Sequence, residues 1–183
     1  MTHRALIVVA EGVDALQSAT LIDVLRRAEI EVVVASIEGR RMLTCARGMR
    51  LTADGMLVDI LAQSFELIAL PGGEQGAQHM AAHQPLAQRV AEQAKSGGFF
   101  AAIAESPALA LQPFGVLRQR RMTCHPDVSQ QLSGCSFVDQ PVVVDGNCIT
   151  AQSSAAALEF ALMLVEQVAG RAVRNRVAAQ LRA

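Results

Sequence analysis

A chain of 183 residues fits one domain, on the usual length of roughly 100–200 residues each. Its 51% hydrophobic and 18% charged content supplies a core and excludes a disordered chain. A net charge of −1 lacks the footprint of non-specific nucleic-acid binding, and 3% aromatics without Trp or Tyr leaves no base-stacking platform. No charge-free apolar window reaches the ~18 residues of a membrane span, and Met1-Thr2-His3-Arg4 opens no signal-peptide pattern. The expectation is a single cytoplasmic domain over residues 1–183, with neither nucleic acid nor membrane as partner.

In chain order, Ala5–Ala10 reads as a strand buried on both faces, with Glu11-Gly12 as the turn. Leu16, Ala19, Ile22, Val24 and Leu25 recur at helical spacing over Asp14–Arg27, and Arg26-Arg27 suit a helix C-terminus. Glu31–Ser36 is a second strand, and Gly39–Asp54 predicts a small β excursion. Leu67–Leu70 is a central strand that stops at Pro71-Gly72-Gly73, followed by a helical pattern across Leu86–Ala91. Phe99–Ile103 is a further strand, and Pro107–Leu111 opens a short helix. Pro141–Val144 and Cys148–Thr150 flank Asp145-Gly146 as a hairpin. Ala155–Val168 and Ala172–Leu181 are amphipathic helices parted by Gly170.

Strands alternating with helices predict an α/β, doubly wound, mostly parallel sheet sandwiched by helices. Ligands in such folds sit beyond the carboxyl ends of the strands. The segments to inspect are therefore Ala10-Glu11-Gly12, Leu70-Pro71-Gly72-Gly73 and Ile103-Ala104-Glu105-Ser106-Pro107. Cys45, Cys124, Cys135 and Cys148 form no C-x-x-C pair and read as free, packed thiols.

Those strand ends carry a resemblance. Arg4–Val8, Ile22–Ala28, Thr44-Cys45-Ala46-Arg47, Leu70–Gly73, Ala101-Ala102-Ile103, His125-Pro126 and Leu158–Leu162, in that order, resemble the ThiJ/PfpI superfamily, close to its parkinsonism-linked protein deglycase/chaperone branch. The resemblance spans nearly the whole chain. It implies a flavodoxin-like, class I glutamine-amidotransferase-like fold and a homodimer in a stress-response setting. It also implies a three-part site. A cysteine sits on a strand-to-helix elbow at φ > 0, a glutamate from the first loop bonds its sulfur, and a histidine stands near. The second glycine of Pro-Gly-Gly adds an N–H for an oxyanion.

Carried over residue by residue, the elbow position is Ala104 and the acid position is Gln17, while His125 and Gly72-Gly73 are retained. A Gly-Pro-Gly-bearing loop of the family is replaced by Gln152-Ser153-Ser154-Ala155-Ala156. Ala104 has no nucleophile, and an amide at position 17 suits a buried site without a sulfur, being neutral at every pH.

Other candidates each have two readings. Glu105, expected to point away from the elbow side chain, is a first-turn helix acid or an anion repeller at the pocket mouth. Ser106 before Pro107 reads as a helix N-cap rather than a nucleophile, and Cys124 beside His125 as a packed thiol rather than a redox centre. His79 and His83 have the i, i+4 spacing of helical metal ligands but lack a third ligand. Arg118, Arg120 and Arg121 read as a solvated basic loop rather than a phosphate site. Arg27 and Arg47 lie in segments that, by the resemblance, approach the dimer seam, and Arg47 meets either a small anion or a salt-bridge partner.

The sequence thus predicts a family member without cysteine-dependent chemistry, with no catalytic residue, metal or cofactor. Its pocket is lined by Gln17, Gly72, Gly73, Ala104, Glu105, His125 and Ser153 and takes a small polar ligand. The rival reading is a glyoxalase or deglycase-type enzyme, with Ala104 an engineered replacement of cysteine or another residue, Cys124 among them, in its role.

Overall fold

A computed structural model describes residues 3–183; Met1 and Thr2, where the signal-peptide reading begins, lie outside the described residues. In chain order the elements are β1 (Arg4–Val9), α1 (Ala15–Arg27), β2 (Glu31–Ser36), β3 (Met42–Thr44), β4 (Arg50–Thr52), β5 (Gly55–Met56) and α2 (Leu57–Ile60). Then come β6 (Leu67–Leu70), α3 (Glu74–Ala82), α4 (Gln84–Ser96), β7 (Phe99–Ile103), β8 (Arg121–Met122) and β9 (Ser136–Phe137). The chain closes with β10 (Val142–Asp145), β11 (Cys148–Ala151), α5 (Ala157–Ala169) and α6 (Arg171–Leu181).

Seven strands form one sheet in the order β10-β11-β7-β6-β1-β2-β5, and β10 alone among them runs antiparallel to its neighbour. The register places Ala5 against both Val32 and Leu67, and Ile68 against Phe100. Every residue of β6 is buried, as a central strand covered on both faces requires. From β1 the chain steps to β2 in one direction, whereas from β6 it steps to β7 in the other. Right-handed crossovers therefore put α1 on one face and the α3–α4 pair on the opposite face. Helices α5 and α6 join α1. The order reverses between β1 and β6, which makes the carboxyl ends of β1, β6 and β7 the switch-point crevice.

The segments around the crevice follow from local chemistry. Asp14 caps α1, its carboxylate accepting from the Gln17 N–H at 2.9 Å. Gly73 holds φ at 99°, and a Cβ there would lie 2.5 Å from the Gly12 carbonyl oxygen, so only glycine lets β6 turn against the first loop. The Gly39–Asp54 excursion is the antiparallel β3–β4 pair, and the expected hairpin is β10–β11.

One expectation is refined and three are corrected. Pro107–Leu111 is a single π-helical turn, in which Gln112 N–H donates to the Pro107 carbonyl. Ser106 is not a side-chain cap: its own backbone is helical and its hydroxyl donates to the Pro71 carbonyl across the crevice. His79 and His83 do not share a helix, because His83 ends α3 in extended backbone and caps α4 by accepting from Leu86 N–H. The basic loop divides too. Arg120 lies over the Phe100 ring at 5.1 Å and donates to the Asp145 carbonyl and the Asn147 side chain.

Candidate functional site

The elbow conformation survives without a cysteine. Ala104 sits at φ 58°, in the left-handed region that costs a non-glycine residue roughly 1–2 kcal/mol. Two backbone bonds hold it there. Its N–H donates to the Ala151 carbonyl at 2.9 Å, and its carbonyl accepts from the His125 N–H at 2.8 Å. These bonds tie the elbow to β11 and to the loop after β8, so the turn belongs to the scaffold.

Gln17, on the first turn of α1, is buried. Its amide oxygen accepts from the Gly72 N–H at 2.7 Å, and its amide nitrogen donates to Ser154 Oγ at 2.8 Å. The side chain thereby joins the loop after β6 to the loop before α5. Gly73 N–H donates to Glu105 Oε2 at 2.8 Å. Glu105 does not point away from the elbow side chain: a Cβ placed on Gly72 would meet Glu105 Oε2 at 2.7 Å and both Ala104 Cβ and Gln17 Oε1 at 2.8 Å. The absence of a side chain at Gly72 is what lets these three groups converge.

They border a cavity of about 570 Å³. Gln17, Gly73, Ala104, Glu105, His125 and Ser153 line it; Gly72 is not among the lining residues, and its N–H donates to Gln17. Asp14, Arg47, Glu74 and Ser154 also line it. Arg47 takes its salt-bridge reading, pairing with Asp14 at 3.3 Å, while Arg27 pairs with Asp23 at 2.7 Å. Asp14 could have been found as the cap of α1; the part of Ser154 depends on a contact across 137 residues, which no local pattern records. His125 is half-exposed, with Nδ1 accepting from the Asp127 N–H at 3.4 Å.

The thiols stand apart. Cys45, Cys124 and Cys148 are buried, and burial pushes both Cys124 and Cys148 up to about 12 and raises Cys45 and Cys135 from their ordinary range. A thiol held protonated is a poor nucleophile. Among the described residues no three His, Cys, Asp or Glu side chains gather as metal ligands, and no helix is long and apolar enough to cross a membrane.

The sequence matches the model of the DJ-1/PfpI family over residues 3–167, and the chain belongs to that family. It is 37% identical over 170 residues to Protein DJ-1 homolog A of Arabidopsis thaliana, covering 93% of this chain but 43% of that protein. The chain thus spans less than half the length of that relative. The crystal structure of Drosophila melanogaster DJ-1beta superposes with a TM-score of 0.97 at 34% identity, covering 100% of this chain and 99% of the other. A further relative, the glutathione-independent glyoxalase DJR-1.2 of Caenorhabditis elegans, is 33% identical over 150 residues, 81% of this chain and 78% of that protein.

Proposed function

We propose that this chain is a DJ-1/PfpI-family protein that has lost the cysteine-dependent chemistry and acts by binding a small polar metabolite in the switch-point cavity, as a stress-associated homodimer. The observation that carries the reading is the pair of bonds made by Gln17. Where the family pattern calls for a carboxylic acid serving a sulfur, the amide spends both its ends on Gly72 and Ser154. No acidic proton is available there, and Ala104 presents only a methyl group. With the buried thiols held protonated, no group of the cavity supplies a nucleophilic sulfur.

Homodimer formation is supported by the surface beside the cavity. A second hollow of about 600 Å³ adjoins it, lined by Leu16, Ala19, Thr20 and Met49 among others, and shares Asp14, Arg47 and Ser154 with the first. Leu16 and Met49 are more than half exposed. An exposed apolar patch of this kind suits a protein partner.

The rival glyoxalase reading draws on the relative of that name, and it would place the work on His125 and Glu105. The test treats the native protein with methylglyoxal and, separately, with mild peroxide. The expected result is no lactate above background and no protein mass gain of two oxygens. Lactate formation, or a stoichiometric sulfinate on Cys124, would overturn the proposal.

A further inference from the structure

Glu105 places a carboxylate, itself an anion, on a backbone donor of this crevice. Its Oε2 accepts from Gly73 N–H at 2.8 Å, and among the described residues no donor bonds its other oxygen. The neighbouring donor, Gly72 N–H, is taken by Gln17 Oε1. The arrangement is built rather than incidental, since a Cβ at Gly72 would collide with that carboxylate at 2.7 Å. The remaining charges around the cavity agree with it. Asp14 and Arg47 pair with each other, which leaves Glu74 and Glu105 as the carboxylates facing the space without an opposing arginine, with His125 as the further titratable group of the lining.

We infer that Glu105 is a tethered occupant of the anion position, a specificity-determining residue that excludes carboxylates and other small anions and selects ligands carrying an ammonium or similar N–H donor. This rests on the reading of the cavity as a small-molecule site. The physical reason is competition. An incoming carboxylate exchanges one charge-assisted bond to Gly73 for another and so gains little. The resident carboxylate competes at an effective concentration set by its tether, at or above the millimolar range of short flexible linkers. A displaced Glu105 would then share the cavity with the incoming anion, a like-charge contact that is itself unfavourable. An ammonium meets the reverse situation. It can donate to the free oxygen of Glu105 while the bond to Gly73 stays intact.

The test uses two probes of similar size and opposite charge, ethanolamine as its ammonium and glycolate, titrated against wild type, Glu105→Ala and Glu105→Gln. Backbone amide NMR signals of Gly73 and of other cavity residues are the readout. Wild type should bind the ammonium saturably and prefer it to glycolate by about tenfold or more, the equivalent of one charge-assisted bond. Glu105→Ala uncovers the Gly73 N–H and should reverse that preference. Glu105→Gln keeps an acceptor on Gly73 and loses the charge, so it should lose the ammonium without gaining glycolate. Glycolate binding to wild type at Gly73 as tightly as the ammonium, or no gain of glycolate by Glu105→Ala, overturns the role of Glu105 and leaves the cavity a ligand site. Failure of either probe to shift any cavity amide in all three proteins overturns both readings.

Discussion

Gln17 and Glu105, 88 positions apart in the chain, accept from consecutive backbone amides, Gly72 at 2.7 Å and Gly73 at 2.8 Å. Their accepting oxygens lie within about 5.5 Å of each other, since each is no more than 2.8 Å from the point where a Gly72 Cβ would stand. One of the two is an amide and the other a carboxylate. That difference lets the buried Gln17 and the half-buried Glu105 bond the same loop without two charges meeting.

Gln17→Glu should therefore destabilise the protein at neutral pH by roughly 1–3 kcal/mol, because burial and the neighbouring Glu105 both oppose a second carboxylate. The introduced group would have its folded pKa raised above the unfolded value near 4.3. The folded state then binds the proton more tightly, so the lost stability is absent below about pH 4 and grows as pH rises through the folded pKa. Urea unfolding of variant and wild type between pH 4 and 7.5 measures it; a constant difference across that range would mean the two sites do not interact.

Gly73→Ala should cost about 2–4 kcal/mol, from a strained φ of 99° and a Cβ driven to 2.5 Å from the Gly12 carbonyl oxygen. Gly97→Ala is the control. Its φ is 84° but nothing lies within 4 Å of its Cβ position, so only the conformational part, about 1 kcal/mol, remains. Equal losses for the two in thermal unfolding would show that packing between the first loop and the loop after β6 is unimportant.

Alkaline instability should follow from Cys124 and Cys148. Burial raises both to about 12, whereas unfolded thiols ionise near 8.5. The folded state keeps the protons that the unfolded state releases. Stability is thus intact below about pH 8.5 and falls as pH rises toward 12, by about 1.4 kcal/mol per pH unit for each thiol. The double Cys124→Ser/Cys148→Ser variant, though weaker overall, should lose this slope in denaturant titrations above pH 9.

Leu16→Asp should produce monomers if the apolar hollow beside the cavity is the dimer seam. Leu16 is 58% exposed in the single chain, so the substitution leaves the fold largely untouched, within about 0.5 kcal/mol. Light scattering behind size exclusion reads the mass, and a dimer of unchanged concentration dependence would place the seam elsewhere.

The sheet was legible because its central strands are short buried runs bounded by turn residues. Leu67–Leu70 and Phe99–Ile103 match their expected limits, and Pro71-Gly72-Gly73 marked the crevice. The α3–α4 boundary was not, although Pro85 after His83 is a recognisable interruption of one continuous helix. The direction of Glu105 was beyond local reasoning, since it depends on the space left by Gly72 in the loop after β6. Arg120 looked like a solvated charge because its partners, Phe100, Asp145 and Asn147, are distant in sequence. Short-range periodicity records which face is buried, and it is silent on which polar groups meet across the sheet.

On the function proposed above, the scaffold of the family site persists while its reagents are absent. The most direct measurement is the steady-state rate of methylglyoxal conversion by wild type, Ala104→Cys, Gln17→Glu and the double variant, with the thiol pKa recorded wherever a cysteine stands at position 104. Wild type and Gln17→Glu should equal the uncatalysed rate. Ala104→Cys should give an oxidisable thiol with a pKa below about 8.5 but little turnover. The double variant should exceed the sum of the singles, because a nucleophile and its acid act as a unit. Substantial wild-type turnover that survives alkylation of all four cysteines would contradict the account and assign the chemistry to His125 or Glu105.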